Sequence, residues 1–327
     1  METVPCTSKP ATRTLDDGLH VVLGAGQVGS QVAEILRREG RRVRVVRRGA
    51  PGDIAPGVEV RSGDLSDLSF AKRAGEGAVV VYHCVNAPYD QWPALLGPMN
   101  TGVLHAARTS GAKLVVLDNL YSYGRSPDAP LSPDTPERPV SKKGELRRRE
   151  ADRLRDAQAK GEVRVTIARA SDFFGPGATL SLLGDRFWKG IFAKGRAEVL
   201  GDPSLPRSYS YTPDVAEGLV TLGAAEDAFG KTWHLPVAPV ESTLDFIARV
   251  ARELGRPLKP SRLPTWALKA MGLFSPVIGE VAEMAYQWEQ PYVVDDAAYR
   301  ARFGVTATPF DVSVPATVAW GRRTFER

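Results

Sequence analysis

Sulfur and imidazole are scarce in this chain of 327 residues, which has two cysteines and four histidines. So few cysteines exclude a disulfide scaffold. Cys6 lies in a polar stretch and Cys84 in an apolar one, so they make no pair, and a reducing compartment is the natural setting. His20, His83, His105 and His234 are far apart without ligand spacing, so no metal site is expected. His83 and Cys84 are successive on a strand and point to opposite faces, which removes a nucleophilic dyad. The G-x-S-x-G elbow of a serine hydrolase is absent. No apolar run approaches the ~18 residues of a membrane span, and the first 17 residues hold no apolar signal core. The reading is a cytoplasmic protein with no membrane partner.

An excess of one charge is also nearly lacking, since 43 Lys and Arg face 38 Asp and Glu. The basic clusters Arg37-Arg38, Arg41-Arg42, Arg47-Arg48 and Arg147-Arg148-Arg149 are scattered, with no aromatics interleaved for base stacking. They read as solvated faces, and nucleic acid is not an expected partner.

What is present is an alternation. Apolar runs at 20–23, 43–46, 58–61, 78–85, 113–117 and 163–168 are separated by helical patterns, among them 93–109 and 141–159. Strands apolar throughout, each followed by a helix, indicate a parallel sheet covered on both faces. A Pro-rich stretch at 126–139 suits neither helix nor central strand. Beyond Gly175 the spacing predicts helices at 180–192 and 213–224 and a short strand at 231–235. The expected architecture is α/β, a doubly wound parallel sheet with a smaller, mostly helical C-terminal substrate-binding cap. Its parts are a flexible leader at 1–17, a dinucleotide-binding (Rossmann) unit at 18–175 and the cap at 176–327, with some strands returning to the sheet. The cleft between them is the default site.

Gly24, Gly26 and Gly29 form G-x-G-x-x-G between the first strand and an amphipathic helix carrying Val28, Val32, Ile35 and Leu36. The first glycine permits the tight turn, the second lets a pyrophosphate approach the backbone, and the third allows close helix–strand contact. An NAD site expects an acid at the end of the second strand to hold the ribose 2′-hydroxyl. Here Arg47 and Arg48 stand 18 and 19 residues after Gly29, which favours NADP(H) over NAD(H). Asp64, after the third strand, either accepts from the adenine amino group or caps a helix beginning near Ser66.

These features, with Gly63-Asp64-Leu65, Tyr123-Gly124, Arg169–Pro176 as RASDFFGP and YSYTPDVAEGL at 209–219, resemble the extended short-chain dehydrogenase/reductases. That group includes sugar-nucleotide epimerases and dehydratases. The resemblance covers about residues 19–225. It implies a cofactor site of Gly24, Gly26, Gln27, Val28, Gly29, Arg47, Arg48, Asp64, Leu65, Asn86, Ala87, Lys143 and Ser171. It implies dimers formed by helices beside the sheet.

The group's Tyr-x-x-x-Lys pair is missing, because Arg138 and Pro139 precede Lys142 and Lys143 by four residues. Either lysine can reach the nicotinamide ribose, and Lys143 is favoured. Asn119 stands where the group carries Ser or Thr, and Tyr121 where its dehydratases carry an acid. Tyr121 therefore replaces the proton donor and Asn119 bonds a substrate oxygen; otherwise Tyr121 packs against the cap and Asn119 ties down its loop. Tyr89, Trp92, Asp172, Phe173, Arg207, Tyr209 and Tyr211 are expected around a partly apolar small-molecule substrate, with Arg207 as an anion contact. The leading function is an NADP(H)-dependent oxidoreductase exchanging hydride with a carbonyl or alcohol. The alternatives are an epimerase or dehydratase, a non-redox cyclase or isomerase, and a nucleotide-binding sensor without catalysis.

Overall fold

The computed structural model describes residues 13–49, 54–125 and 129–326. In chain order the first half contains β1 (Leu19–Leu23), α1 (Gly29–Arg38), β2 (Arg42–Arg47), β3 (Glu59–Ser62), α2 (Leu68–Gly75), β4 (Ala78–His83), α3 (Trp92–Ser110), β5 (Lys113–Asp118) and α4 (Lys142–Ala159). Next come β6 (Val165–Arg169), β7 (Asp172–Phe174), α5 (Asp185–Lys194), β8 (Arg196–Leu200), β9 (Pro206–Arg207), β10 (Tyr209–Tyr211), α6 (Thr212–Ala224) and β11 (Thr232–His234). The chain closes with β12 (Glu241–Ser242), α7 (Thr243–Leu254), β13 (Lys259–Leu263), α8 (Thr265–Gly272), α9 (Pro276–Ala282), α10 (Ala297–Phe303) and α11 (Phe310–Phe325).

Seven strands form one parallel sheet in the order β11-β6-β5-β4-β1-β2-β3. The order reverses between β1 and β4, which opens a crevice at their carboxyl ends where such folds bind ligands. Every residue of β1 is buried because both faces of the sheet are covered. Val21 and Leu23 belong to the core that α2, α3 and α4 complete on one side of the sheet, and Val22 to the core that α1 and α6 complete on the other. Each such aliphatic side chain, fully buried, contributes about 1.5–3 kcal/mol. A second core joins α5, α7 and α11 with Phe174, Tyr209 and Tyr211. A smaller apolar cluster from α8 to Trp288 packs on Tyr89 and Tyr121.

Three expectations are corrected here. The leader does not run through residue 17: Leu15 is buried in the sheet's core, and Arg13 pairs with Glu39 and Glu217. The rest of that stretch, Cys6 included, lies outside the described residues. The helix expected from 180 starts at Asp185. A turn closed by Gly184 precedes it, where a Cβ would fall 2.3 Å from the Thr179 carbonyl oxygen. Asp64 caps no helix, because α2 begins at Leu68 and Asp67 accepts from Ser69 and Phe70 N–H. Among the described residues no helix is long and apolar enough to cross a membrane.

Candidate active site

The glycine turn after β1 divides its work as the motif's chemistry requires. Gly24 takes φ +100°, and a Cβ there would meet the Val85 backbone at 2.7 Å. A Cβ on Gly29 would fall 1.9 Å from the Gly24 carbonyl oxygen, so only glycine lets α1 sit this close. At Gly26 nothing lies within 4 Å of the Cβ position. No side chain caps α1 and no acid stands in its first turn, so its leading N–H groups suit an anion. Val28 is buried in the core, while the Gln27 side-chain oxygen accepts from Leu180 N–H across the crevice.

Beside this turn, Arg47, Arg48, Asp64, Leu65 and Ala87 line a single pocket of about 230 Å³. Leu95, Pro98 and Met99 of α3 supply an apolar wall for which no motif in the sequence spoke. One oxygen of Asp64 accepts from the Ser66 N–H and hydroxyl, at 2.8 and 2.9 Å. These bonds hold its carboxyl below the usual range.

At the end of β4, the Asn86 side-chain oxygen accepts from Ala87 N–H and from the Arg147 guanidinium at 2.9 Å. Arg147 corrects the reading of its cluster as solvated. It is nearly buried, lies 4.1 Å over the Trp92 ring, and sits 3.5 Å from Asp118. Its Nε is buried without a partner. The signal that could have found it is its place one helical turn after Lys143, the spacing at which the resembled group carries its pair.

Lys143 is 1% exposed, and its ammonium donates to the Tyr89 carbonyl at 2.6 Å. It also pairs with Glu280 of α9 at 2.5 Å and lies 4.0 Å over the Tyr89 ring. Its charge is thus engaged by the cap side.

Tyr121 opens a short 3₁₀ turn in which Asn119 accepts from Tyr121 N–H at 3.0 Å, so the Asn119 oxygen is the loop's tie. The Tyr121 ring neighbours Trp92, which neighbours Tyr89. Burial pushes both phenols well above their ordinary range, so Tyr121 keeps its proton at neutrality. Trp92 lines no open pocket: it is buried, and its indole N–H donates to the Ala87 carbonyl.

The remaining substrate-side candidates are structural. Arg207 is buried and pairs with Asp172 at 2.6 Å while donating to the Gln287 carbonyl, so it is no open anion contact. Tyr209 donates or accepts at Thr243, and Tyr211 packs on Phe174; both belong to the second core. Phe173 packs against the sheet's core. Ser171 knots β7 to β10 by donating its hydroxyl to the Ser208 carbonyl at 2.7 Å, so that hydroxyl is not offered to a cofactor. A buried network behind the site was also missed. Arg169 bonds Asp118 and Glu137, and Tyr123 bonds His234. Among the described residues no group of three or more His, Cys, Asp or Glu is placed to hold a metal ion.

The architecture is shared widely. An epimerase of the methanogen Methanothermobacter thermautotrophicus superposes with a TM-score of 0.81 at 17% identity, covering 95% of this chain and 94% of that one. The UDP-glucuronic acid 4-epimerase of Bacillus cereus, solved with NAD, gives 0.75 at 16%, covering 94% and 99%. DesIV of Streptomyces venezuelae, a dTDP-glucose 4,6-dehydratase solved with NAD and TYD, gives 0.76 at 17%, covering 94% and 97%. No curated protein matches the chain. The family model described as NAD dependent epimerase/dehydratase matches residues 20–235. With that match over most of the chain, and the glycine turn, sheet order and crevice in place, the protein belongs to the NAD-dependent epimerase/dehydratase family of enzymes.

Proposed function

We propose that this enzyme is a nicotinamide-dinucleotide oxidoreductase preferring NADP(H), acting on a small-molecule carbonyl or the matching alcohol. The observation that carries the reading is the single pocket shared by Arg47, Arg48 and Asp64 beside the open Gly26 cradle. The residues fit the coenzyme: α1 and Gly26 take the pyrophosphate, Asp64 and the α3 wall take the adenine, and the two arginines take a 2′-phosphate. Charge-assisted hydrogen bonds of about 1.5–3 kcal/mol each discriminate more than tenfold against the form lacking that phosphate.

When bound, the coenzyme supplies or accepts the hydride at its nicotinamide. Tyr121, protonated at neutrality, gives its phenolic proton to the carbonyl oxygen as the carbon is reduced, and the balance is one alcohol and one oxidised coenzyme. The proton that Tyr121 gives up is replaced from solvent. Arg147, bonded to Asn86, holds the loop after β4, which would border the bound coenzyme.

Fluorescence titration tests the coenzyme half. NADPH binds at least tenfold more tightly than NADH, and Arg47→Ala with Arg48→Ala abolishes that margin; equal affinities in the unmodified protein sink the preference. Absorbance at 340 nm with a panel of aldehydes and ketones tests the chemistry. The family match favours a second reading, an epimerase or dehydratase that recycles its coenzyme. It is recognised by product formation without net change at 340 nm.

A further inference from the structure

We infer that the tip of the α8–α9 hairpin docks the enzyme on the surface of an anionic phospholipid membrane, as a peripheral contact and not a span. This contact depends on no step of the reaction proposed above. The expectation of no membrane partner rested on the lack of a long apolar run, and a surface contact needs none.

The inner side of the hairpin is already spent. Leu268 is buried in the cluster that packs on Tyr89 and Tyr121, Glu280 pairs with Lys143, and Glu283 accepts from Lys142 N–H. The outer side is left in water. Trp266 is 73% exposed, Leu273 82% and Phe274 90%, and Met271 is exposed beside them. The N–H groups of Leu273 and Phe274 bond the Ala270 and Met271 carbonyls, so the helical path runs on past Gly272. Along that path Trp266, Ala270, Leu273 and Phe274 fall at i, i+4, i+7 and i+8 and share one face. Of the nine large apolar side chains exposed among the described residues, four lie between 266 and 274. That is a concentration, unlike the single exposed apolar residues normal on a protein surface.

The charge around the tip selects the occupant. Residues 254–279 contain no Asp or Glu but hold Arg256, Lys259, Arg262 and Lys269, all exposed. Arg262 and Lys269 flank Trp266, four residues before it and three after. Lys269 meets Glu289 at 2.7 Å, but its side chain is more than half exposed, and an ion pair so open to water yields to a lipid phosphate. A second copy of the chain is a poor occupant, because an isologous contact sets this cationic stretch against itself. An anionic bilayer takes both halves. The apolar side chains enter the boundary of the acyl chains with the indole at headgroup level, and the cations meet phosphates. Two such signals together hold a protein where one alone binds marginally.

Sedimentation of the full chain with lipid vesicles tests this without reference to turnover. Phosphatidylcholine vesicles are compared with vesicles in which about a third of the lipid is phosphatidylserine. The anionic vesicles are expected to bind about tenfold or more tightly, and about 0.5 M NaCl to remove most of that margin. Leu273→Ser with Phe274→Ser, both at exposed positions, is expected to weaken binding about tenfold or more. Arg262→Glu with Lys269→Glu is expected to erase the preference for anionic lipid. Far-ultraviolet circular dichroism checks that each variant folds. Bromine-labelled lipid is expected to quench tryptophan fluorescence in the unmodified protein and not in Trp266→Phe. No binding to anionic vesicles overturns the inference, as does binding that neither double variant changes. Self-association of the lipid-free protein that Leu273→Ser with Phe274→Ser abolishes, while vesicles are ignored, assigns the tip to a second copy and overturns it too.

Discussion

Single side chains carry the chemistry, and among them Tyr121 is the sharpest test. Burial raises its phenol, so it is an acid at neutral pH rather than a ready base. Tyr121→Phe is therefore expected to lower kcat for carbonyl reduction by about 10²-fold with coenzyme affinity unchanged. Steady-state rates beside NADPH titrations check this, and an unchanged kcat removes Tyr121 from the role. Because the phenol holds its proton far above neutrality, reduction stays flat from pH 6 to 8 while alcohol oxidation climbs with pH. The position of Tyr121 at a strand end was legible in the motif Tyr121-Ser122-Tyr123-Gly124. The states of its neighbours were not. A run of Arg147-Arg148-Arg149 gives no sign of which guanidinium turns inward, because burial depends on what packs over the helix.

The turn between β1 and α1 is the element to which the proposed function assigns the coenzyme's pyrophosphate, and its glycines separate into two kinds. Gly29→Ala puts a methyl 1.9 Å from a carbonyl oxygen, so the helix must shift. Such overpacking costs about 1–3 kcal/mol, read as a lowered urea midpoint. Gly26→Ala meets nothing within 4 Å and is expected to leave the midpoint unchanged. It is expected to weaken NADPH tenfold or more, because its methyl enters the open space that the proposed function assigns to the pyrophosphate. Equal effects of the two variants on stability contradict this division. Strands and helices of the sheet were readable because both periods are written in the residues themselves, as in the uniformly apolar β1 and the amphipathic α1. The stretch at 180–184 misled because its apolar spacing mimics a helix, while a turn closed by Gly184 delays the start to Asp185.

Across the molecule, two histidines tie stability to pH. His83 on β4 bonds Asn100, and His234 on β11 bonds Tyr123; burial holds both down to about 4 against an ordinary 6.5. Between those values the unfolded chain binds more protons than the folded one, so stability is full above about pH 6.5 and falls as pH drops toward 4. Each histidine accounts for about 2–3 kcal/mol at the acid end. Urea midpoints at pH 7.5, 6 and 5 are expected to decline, and His234→Gln to flatten the decline; a level profile refutes the assignment.

The sequence by itself determined the parallel sheet, the glycine turn and the arginines at the end of β2. Each is a local pattern whose physics acts over a few neighbouring residues. Only the tertiary structure decided that Arg207, Ser171 and Tyr209 are spent on internal partners and that α9 lays Glu280 on Lys143. A side chain's charge and reach are properties of its type. Whether that charge remains available depends on partners that only folding brings within a few ångströms.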